Sequence, residues 1–251
     1  MTTQIEKIRA IYDQHGEFPG SWTRYIAIDP GTAKCAVLFG VVPEPDEFGD
    51  RLILEDEIFA RRMPPSMLAP EVATKVGTKN YEAFVMDAHA AKQTTIGAER
   101  TVEEQYSDAF AQNGVESAQT GSHFWPGTDD VMARANEVRE WMNPSQKGGP
   151  RLLIVMEKCL QTKREFRLYK RRVKHGRSSD GNLVSEEPIR QYDDCMNALE
   201  YLIGIHPWYA IPAPEAPAPD LGYLDWERRK KRRDKAHGQG VQLGPPVPIG
   251  A

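Results

Sequence analysis

Three strand-like segments separated by turns too short to bring a parallel strand back constrain this chain most. Tyr25–Asp29 stops at Pro30-Gly31, Ala33–Val42 is rich in Val, Leu and Phe, and Arg51–Ala60 follows the turn Pro43–Asp50. Parallel neighbours need a crossover of a dozen or more residues, so these three segments predict an antiparallel meander. Tyr81–Asp87 reads as a fourth, buried strand that ends on an acid, and Val115–Ala118 as a short fifth. Arg151–Met156 is a further strand or buried segment. Helical spacing and start signals predict helices near 5–12, 65–76, 101–113, 129–142 and 159–169, and a final helix over 189–203 opened by Pro188. Lys170–Val184 reads as a hairpin with its tip between Gly176 and Gly181.

Several classes are excluded. The longest apolar run, Ala36–Val42, is far short of the ~18 residues of a membrane span. The first twenty residues lack a cationic start followed by an apolar block, so no secretory signal is expected. Cys35, Cys159 and Cys195 have no C-x-x-C spacing, which argues against a zinc ribbon or a disulfide scaffold. With 251 residues the chain can bury a core without such staples. Net charge is −4, yet Lys158–Arg177 holds nine Lys/Arg against one acid, and Arg228–Arg233 is wholly basic. An acidic body with basic stripes fits a protein that meets a polyanion on one face. From Pro207 the Pro/Ala-rich composition reads as an extended linker leading to a basic, disordered tail. The expected organisation is a lead-in helix over 1–22, a main domain over 23–206, and linker and tail over 207–251.

The acids carry the functional signal. Pro30 holds Asp29 extended and Gly31 lets the chain turn, so the Asp29 carboxylate projects from a strand end, where α/β sheets place their sites. Asp87 ends the fourth strand in the same way. Asp193 and Asp194 stand in the first turns of the final helix, where the helix dipole alone would favour them. Gathered together, such carboxylates cannot all stay ionised without a cation, and hard oxygen ligands suit Mg²⁺ or Mn²⁺.

The order of these elements resembles the ribonuclease-H-like nucleases. It is most similar to the C-terminal nuclease domain of phage large terminase subunits. The resemblance rests on Ile28-Asp29-Pro30-Gly31, on Val85-Met86-Asp87-Ala88-His89, and on the series Cys159, Glu165, Tyr169, hairpin, then Tyr192-Asp193-Asp194-Cys195-Met196-Asn197-Ala198-Leu199-Glu200-Tyr201-Leu202. It spans about residues 24–204. One departure is Asn197, where the family often has Asp; Asp194 is therefore expected as the helix-borne ligand and Asn197 as peripheral.

The resemblance implies an α/β, ribonuclease-H-like fold: a mixed central sheet flanked by helices, with an added β-hairpin. It also implies a metal-dependent endonuclease that cuts double-stranded concatemeric DNA with little sequence preference. Two Mg²⁺ or Mn²⁺ ions would be held by Asp29, Asp87 and Asp194, with Asp193 as helper. Lys163, Arg164, Arg167, Lys170, Arg171 and Arg172 would grip backbone phosphates, and His89 is a possible auxiliary. Implied partners are the terminase ATPase domain, the small terminase subunit and, through the tail, the portal or procapsid, in the cytoplasm of an infected bacterium. No G-x-x-x-x-G-K-[ST] motif occurs, so the chain reads as a nuclease module without its motor, whether part of a longer protein or separately encoded. Rival readings are a junction resolvase of the same fold, an actin-like ATPase suggested by Ile28-Asp29-Pro30-Gly31-Thr32, and a non-catalytic DNA-binding module. The ATPase reading lacks a second glycine-rich phosphate loop.

Overall fold

The computed structural model describes residues 3–94, 99–169, 171–173, 184–188 and 193–211, with 171–173 and 184–188 described as backbone only. In chain order the elements are α1 (Gln4–His15), β1 (Thr23–Asp29), β2 (Lys34–Val42), α2 (Pro45–Phe48), β3 (Leu52–Arg61), α3 (Pro65–Val76), β4 (Tyr81–Met86), α4 (Ala88–Ala91), α5 (Val102–Gln112), β5 (Trp125–Pro126), α6 (Val131–Trp141), β6 (Leu152–Ile154), α7 (Leu160–Leu168), β7 (Arg171–Val173), β8 (Val184–Pro188) and α8 (Asp194–Gly204).

β1, β2 and β3 form the antiparallel meander, and β4 returns parallel to β1 through the crossover helix α3. The six-stranded sheet has the order β5-β4-β1-β2-β3-β6, and β7 and β8 make a separate two-stranded hairpin. This is a mixed α/β architecture, a central sheet flanked by helices with an added hairpin, as expected.

Alternation along the strands divides the core into two faces. Tyr25, Ala27, Ala36, Leu38, Leu52, Leu54, Ala83 and Val85 face α6 and α8, where Trp141, Leu199 and Leu202 meet them. Ile26, Ile28, Val37, Phe39, Phe84 and Met86 face α3 and α5, against Leu68, Val72 and Phe110. Each fully buried Leu or Phe stabilises by about 1.5–3 kcal/mol. α8 lies close on its face because β2 carries Gly40 at the crossing. A Cβ there would stand 2.8 Å from Leu202 Cδ2 and 3.1 Å from Leu52 Cδ1.

A third cluster joins Ile8 of α1 with Phe18, Trp22, Val41, Phe48, Ile53 and Val155. Arg24, fully buried, locks this corner. Its Nε meets Glu55 at 3.1 Å, and its terminal nitrogens donate to the carbonyls of Phe18, Pro19 and Trp22. After α8 the chain stays on the core: Tyr25 donates to the Trp208 carbonyl at 2.7 Å, and Ala210 N donates to Thr23 Oγ1 at 2.8 Å.

Two expectations are corrected. Val115–Ala118 is not a strand. Val115 is buried, but only Ser117 bridges to Tyr81, because the chain turns back on itself from Ser117 to Gly121. The strand beside β4 is instead the two-residue β5, which ends at Pro126, a residue with no N–H to extend a ladder. The final helix does not open at Pro188. Pro188 ends β8, paired with Arg171, and the helix starts at Asp194. The expected hairpin is present in β7 and β8, while its tip, Gly176 to Gly181, lies outside the described residues.

Removing one member of a buried ion pair leaves an uncompensated charge and costs about 3–5 kcal/mol. Arg24→Met therefore lowers the unfolding free energy by that amount, read from urea denaturation followed by circular dichroism.

Candidate metal centre

Register places two of the acids together. Ile28 pairs with Met86 in the parallel β1–β4 ladder, so the next residues, Asp29 and Asp87, leave adjacent strands at one level. The alternation that turns Ala27 and Val85 toward α8 also turns Asp29 and Asp87 that way. The turn after Asp29 is as tight as the Pro-Gly pair suggested: a Cβ on Gly31 would stand 2.1 Å from the Lys34 carbonyl oxygen.

The remaining groups come from α8, which lies across β1, β2 and β4. Its N-terminus is capped from another helix. Asp193 occupies the cap position but makes no side-chain cap hydrogen bond. Glu165 of α7, fully buried, takes that role and accepts from Cys195 N at 2.7 Å and Met196 N at 3.2 Å. α7 is held by a carboxylate in turn. Glu57 of β3 accepts from Gln161 N, Thr162 N and Thr162 Oγ1, the last two at 2.9 and 2.6 Å. Further along α8, Glu200 is buried between Arg134 Nε at 3.1 Å and the Tyr169 hydroxyl at 2.7 Å.

Asp194 is met by Lys34 Nζ at 3.2 Å. Asn197 Nδ2 donates to Asp29 Oδ2 at 3.2 Å, so Asn197 is not peripheral but in direct contact with the central acid. One helical turn brings it under Asp193 and Asp194, and an amide, unlike a second carboxylate, can donate there. The Tyr201 hydroxyl hydrogen-bonds Asp87, whose Oδ1 also accepts from His89 N at 2.9 Å. Lys34 and Tyr201 were missed by the sequence reading. Lys34 had a legible signal, since it shares a strand face with Ala36, which pairs with Asp29.

Electrostatics single out Asp29. Burial pushes its carboxyl from the ordinary 3.8 up to about 7. The Asn197 hydrogen bond opposes that rise, and the charges of Asp194, Asp87 and Asp193 add to it. Burial also raises Glu165, against the hydrogen bonds it accepts from Gln161, Cys195 and Met196. Among the described residues no group of three or more His, Cys, Asp or Glu side chains stands close enough to enclose a metal ion as placed. Their oxygens are engaged by Lys34, Asn197, Tyr201 and His89 N. An oxygen-only set whose central acid is raised by burial and, to a lesser degree, by neighbouring carboxylates nonetheless fits a hard divalent cation.

No protein-family model matches the chain, and no curated protein does. The fold is similar to the nuclease domain of g2p, the large terminase of bacteriophage SPP1, in a crystal structure with bound Mn. The two share 13% identity at a TM-score of 0.45, over 71% of this chain and 84% of that one.

The expected DNA-gripping residues divide. Arg164 and Arg167 are exposed on α7, opposite Thr162 and Glu165, and Lys163 is half-buried. Arg171 and Arg172 lie on β7, of which only the backbone is described, while Lys170 and the cluster Arg228–Arg233 lie outside the described residues. His89 is exposed beside Asp87. Among the described residues no helix is long and apolar enough to cross a membrane.

Between pH 3.8 and about 7 the folded, metal-free protein keeps a proton on Asp29 that the unfolded chain has released. Stability therefore falls as pH rises through that window, by up to about 4 kcal/mol, and levels off above it. Asp29→Asn removes this component of the slope, as denaturation series from pH 4 to 8 in EDTA will show. Glu165→Ala strands two buried helix amides and costs about 2–4 kcal/mol, measured by thermal unfolding.

Proposed function

We propose that this chain is a divalent-metal-dependent endodeoxyribonuclease that cuts double-stranded DNA during viral genome packaging. The observation that carries the reading is the convergence of Asp29 and Asp87, from adjacent strand ends, on the start of the helix bearing Asp193 and Asp194, with Asp29 raised to about 7. The late block from Tyr192 to Leu202, with its resemblance to large terminases, supports the packaging context.

In this reading Asp29, Asp87 and Asp194, helped by Asp193, hold two Mg²⁺ or Mn²⁺ ions. Such ions activate water and stabilise the leaving 3′-oxygen of a phosphodiester. Asp29 would hold such ions as the deprotonated carboxylate, since ligand carboxylates bind deprotonated. Asn197 fixes one oxygen of Asp29 and so orients the other. Glu165 holds the first turn of α8, and with it Asp193 and Asp194, against the strand ends. Arg164 and Arg167, with Lys163 and the basic residues 170–172, contact backbone phosphates. Such contacts position DNA without reading its sequence and weaken with salt. The ATPase domain and small subunit of a terminase, and a portal reached through the basic tail, complete the assembly in the host cytoplasm.

Plasmid digestion with Mg²⁺, Mn²⁺ or EDTA tests the reading. Wild type degrades or nicks DNA only with metal, and Asp29→Asn reduces cleavage to the EDTA level. Cleavage that persists in Asp29→Asn would mean that other residues carry the chemistry. DNA binding without cleavage under any metal would favour a non-catalytic module.

A further inference from the structure

The ammonium of Lys34 meets the acidic centre at Asp194, and nothing in the nuclease reading uses it. It opens β2, five residues after Asp29, and its position is set by the backbone. The chain between the two residues is so tight that only glycine fits at position 31, directly against the Lys34 carbonyl. The β1–β2 ladder resumes at once with Asp29 opposite Ala36, and Lys34, two residues earlier, shares the α8-facing side of the strand with Ala36 and Leu38. The ammonium thus meets Asp194 Oδ2 at 3.2 Å by construction of the turn. The Lys34 side chain is 40% exposed and that of Asp194 22%. A long, flexible side chain at that exposure has a path to water.

We infer that Lys34 is a resident counter-ion, whose ammonium holds the Asp194 carboxylate in the metal-free protein and must be displaced before a divalent cation can use that carboxylate. This rests on the metal-dependent reading above. The physical argument is one of competition. Asp194 opens the helix whose Asn197 touches Asp29, beside the strand end that carries Asp87, so its carboxylate stands among like charges. The ammonium offsets that charge. For the same reason it weakens the first encounter with a metal, because the ion must break an ion pair and draw near a positive charge. Lys34 therefore acts through Asp194 as a positioning residue. It favours the folded, metal-free state at the expense of metal affinity.

The test is titration of the whole chain with Mn²⁺ alone, without DNA, by isothermal calorimetry, for wild type, Lys34→Met, Lys34→Gln and Lys34→Arg. Loss of a half-exposed ion pair and its charge is expected to tighten Mn²⁺ binding roughly threefold to tenfold in the Met and Gln variants. Lys34→Arg keeps the charge and stays near wild type. In EDTA the neutral variants melt below wild type, and saturating Mn²⁺ closes that gap, which a purely packing role for Lys34 would not produce. Unchanged or weaker Mn²⁺ binding in both folded neutral variants, with wild type binding Mn²⁺ and cleaving DNA, overturns the role of Lys34 alone. A wild type that neither binds Mn²⁺ nor cleaves with metal overturns the nuclease reading and this inference with it. Two neutral variants guard against a misfolded single substitution.

Discussion

The contact on which the site depends is the carboxylate of Glu165 at the start of α8. A helix leaves its first amides without partners, and their partial positive charge attracts an anion. The nearest acids in sequence are Asp193 and Asp194, and either could have closed that end locally. A buried glutamate from the preceding helix does so instead. The consequence is an acidic pair at a helix start whose charge is not spent on that helix. α7 is itself capped by Glu57 from β3, so the sheet sets α7 and α7 sets α8. Where α8 begins decides whether Asp194 reaches Lys34 and Asn197 reaches Asp29.

Buried acids in this protein fall under two regimes. Glu55 faces Arg24, and Glu200 faces Arg134 and Tyr169, each with charge and hydrogen bonds matched at close range. These pairs tie distant segments together. At the strand ends the balance is different. Asp29 has an amide donor and three like-charged neighbours, and it answers burial by holding a proton. Such imbalance is costly in a core and is found where a bound charge is meant to complete the arrangement.

Much of this was legible from residues alone. The meander followed from turn lengths, and the pairing of Asp29 with Asp87 followed once β1 and β4 were neighbours. The two faces of the sheet were written in the alternation of Tyr25, Ala27 and Asp29 against Ile26 and Ile28. What escaped the sequence came from contacts between residues far apart in the chain. The cap on α8 comes from a residue about thirty positions earlier, and no local start signal marks it, which is why Pro188 looked like the better opening. Asn197 was set aside for its chemistry as a ligand, whereas its role is to donate. β5 is too short to show a periodic pattern.

Gly40 lies in the middle of β2, far along the strand from the acids, yet it sets the height at which α8 rests. With any side chain there, the ends of Leu202 and Leu52 must give way while Glu165 still holds the other end of the helix. Unless those side-chain ends turn aside, the helix rises at one support and its acidic end swings relative to the strands. The spacing of the acids is thus tied to a missing methyl group, in a place where a survey of charged residues would never look.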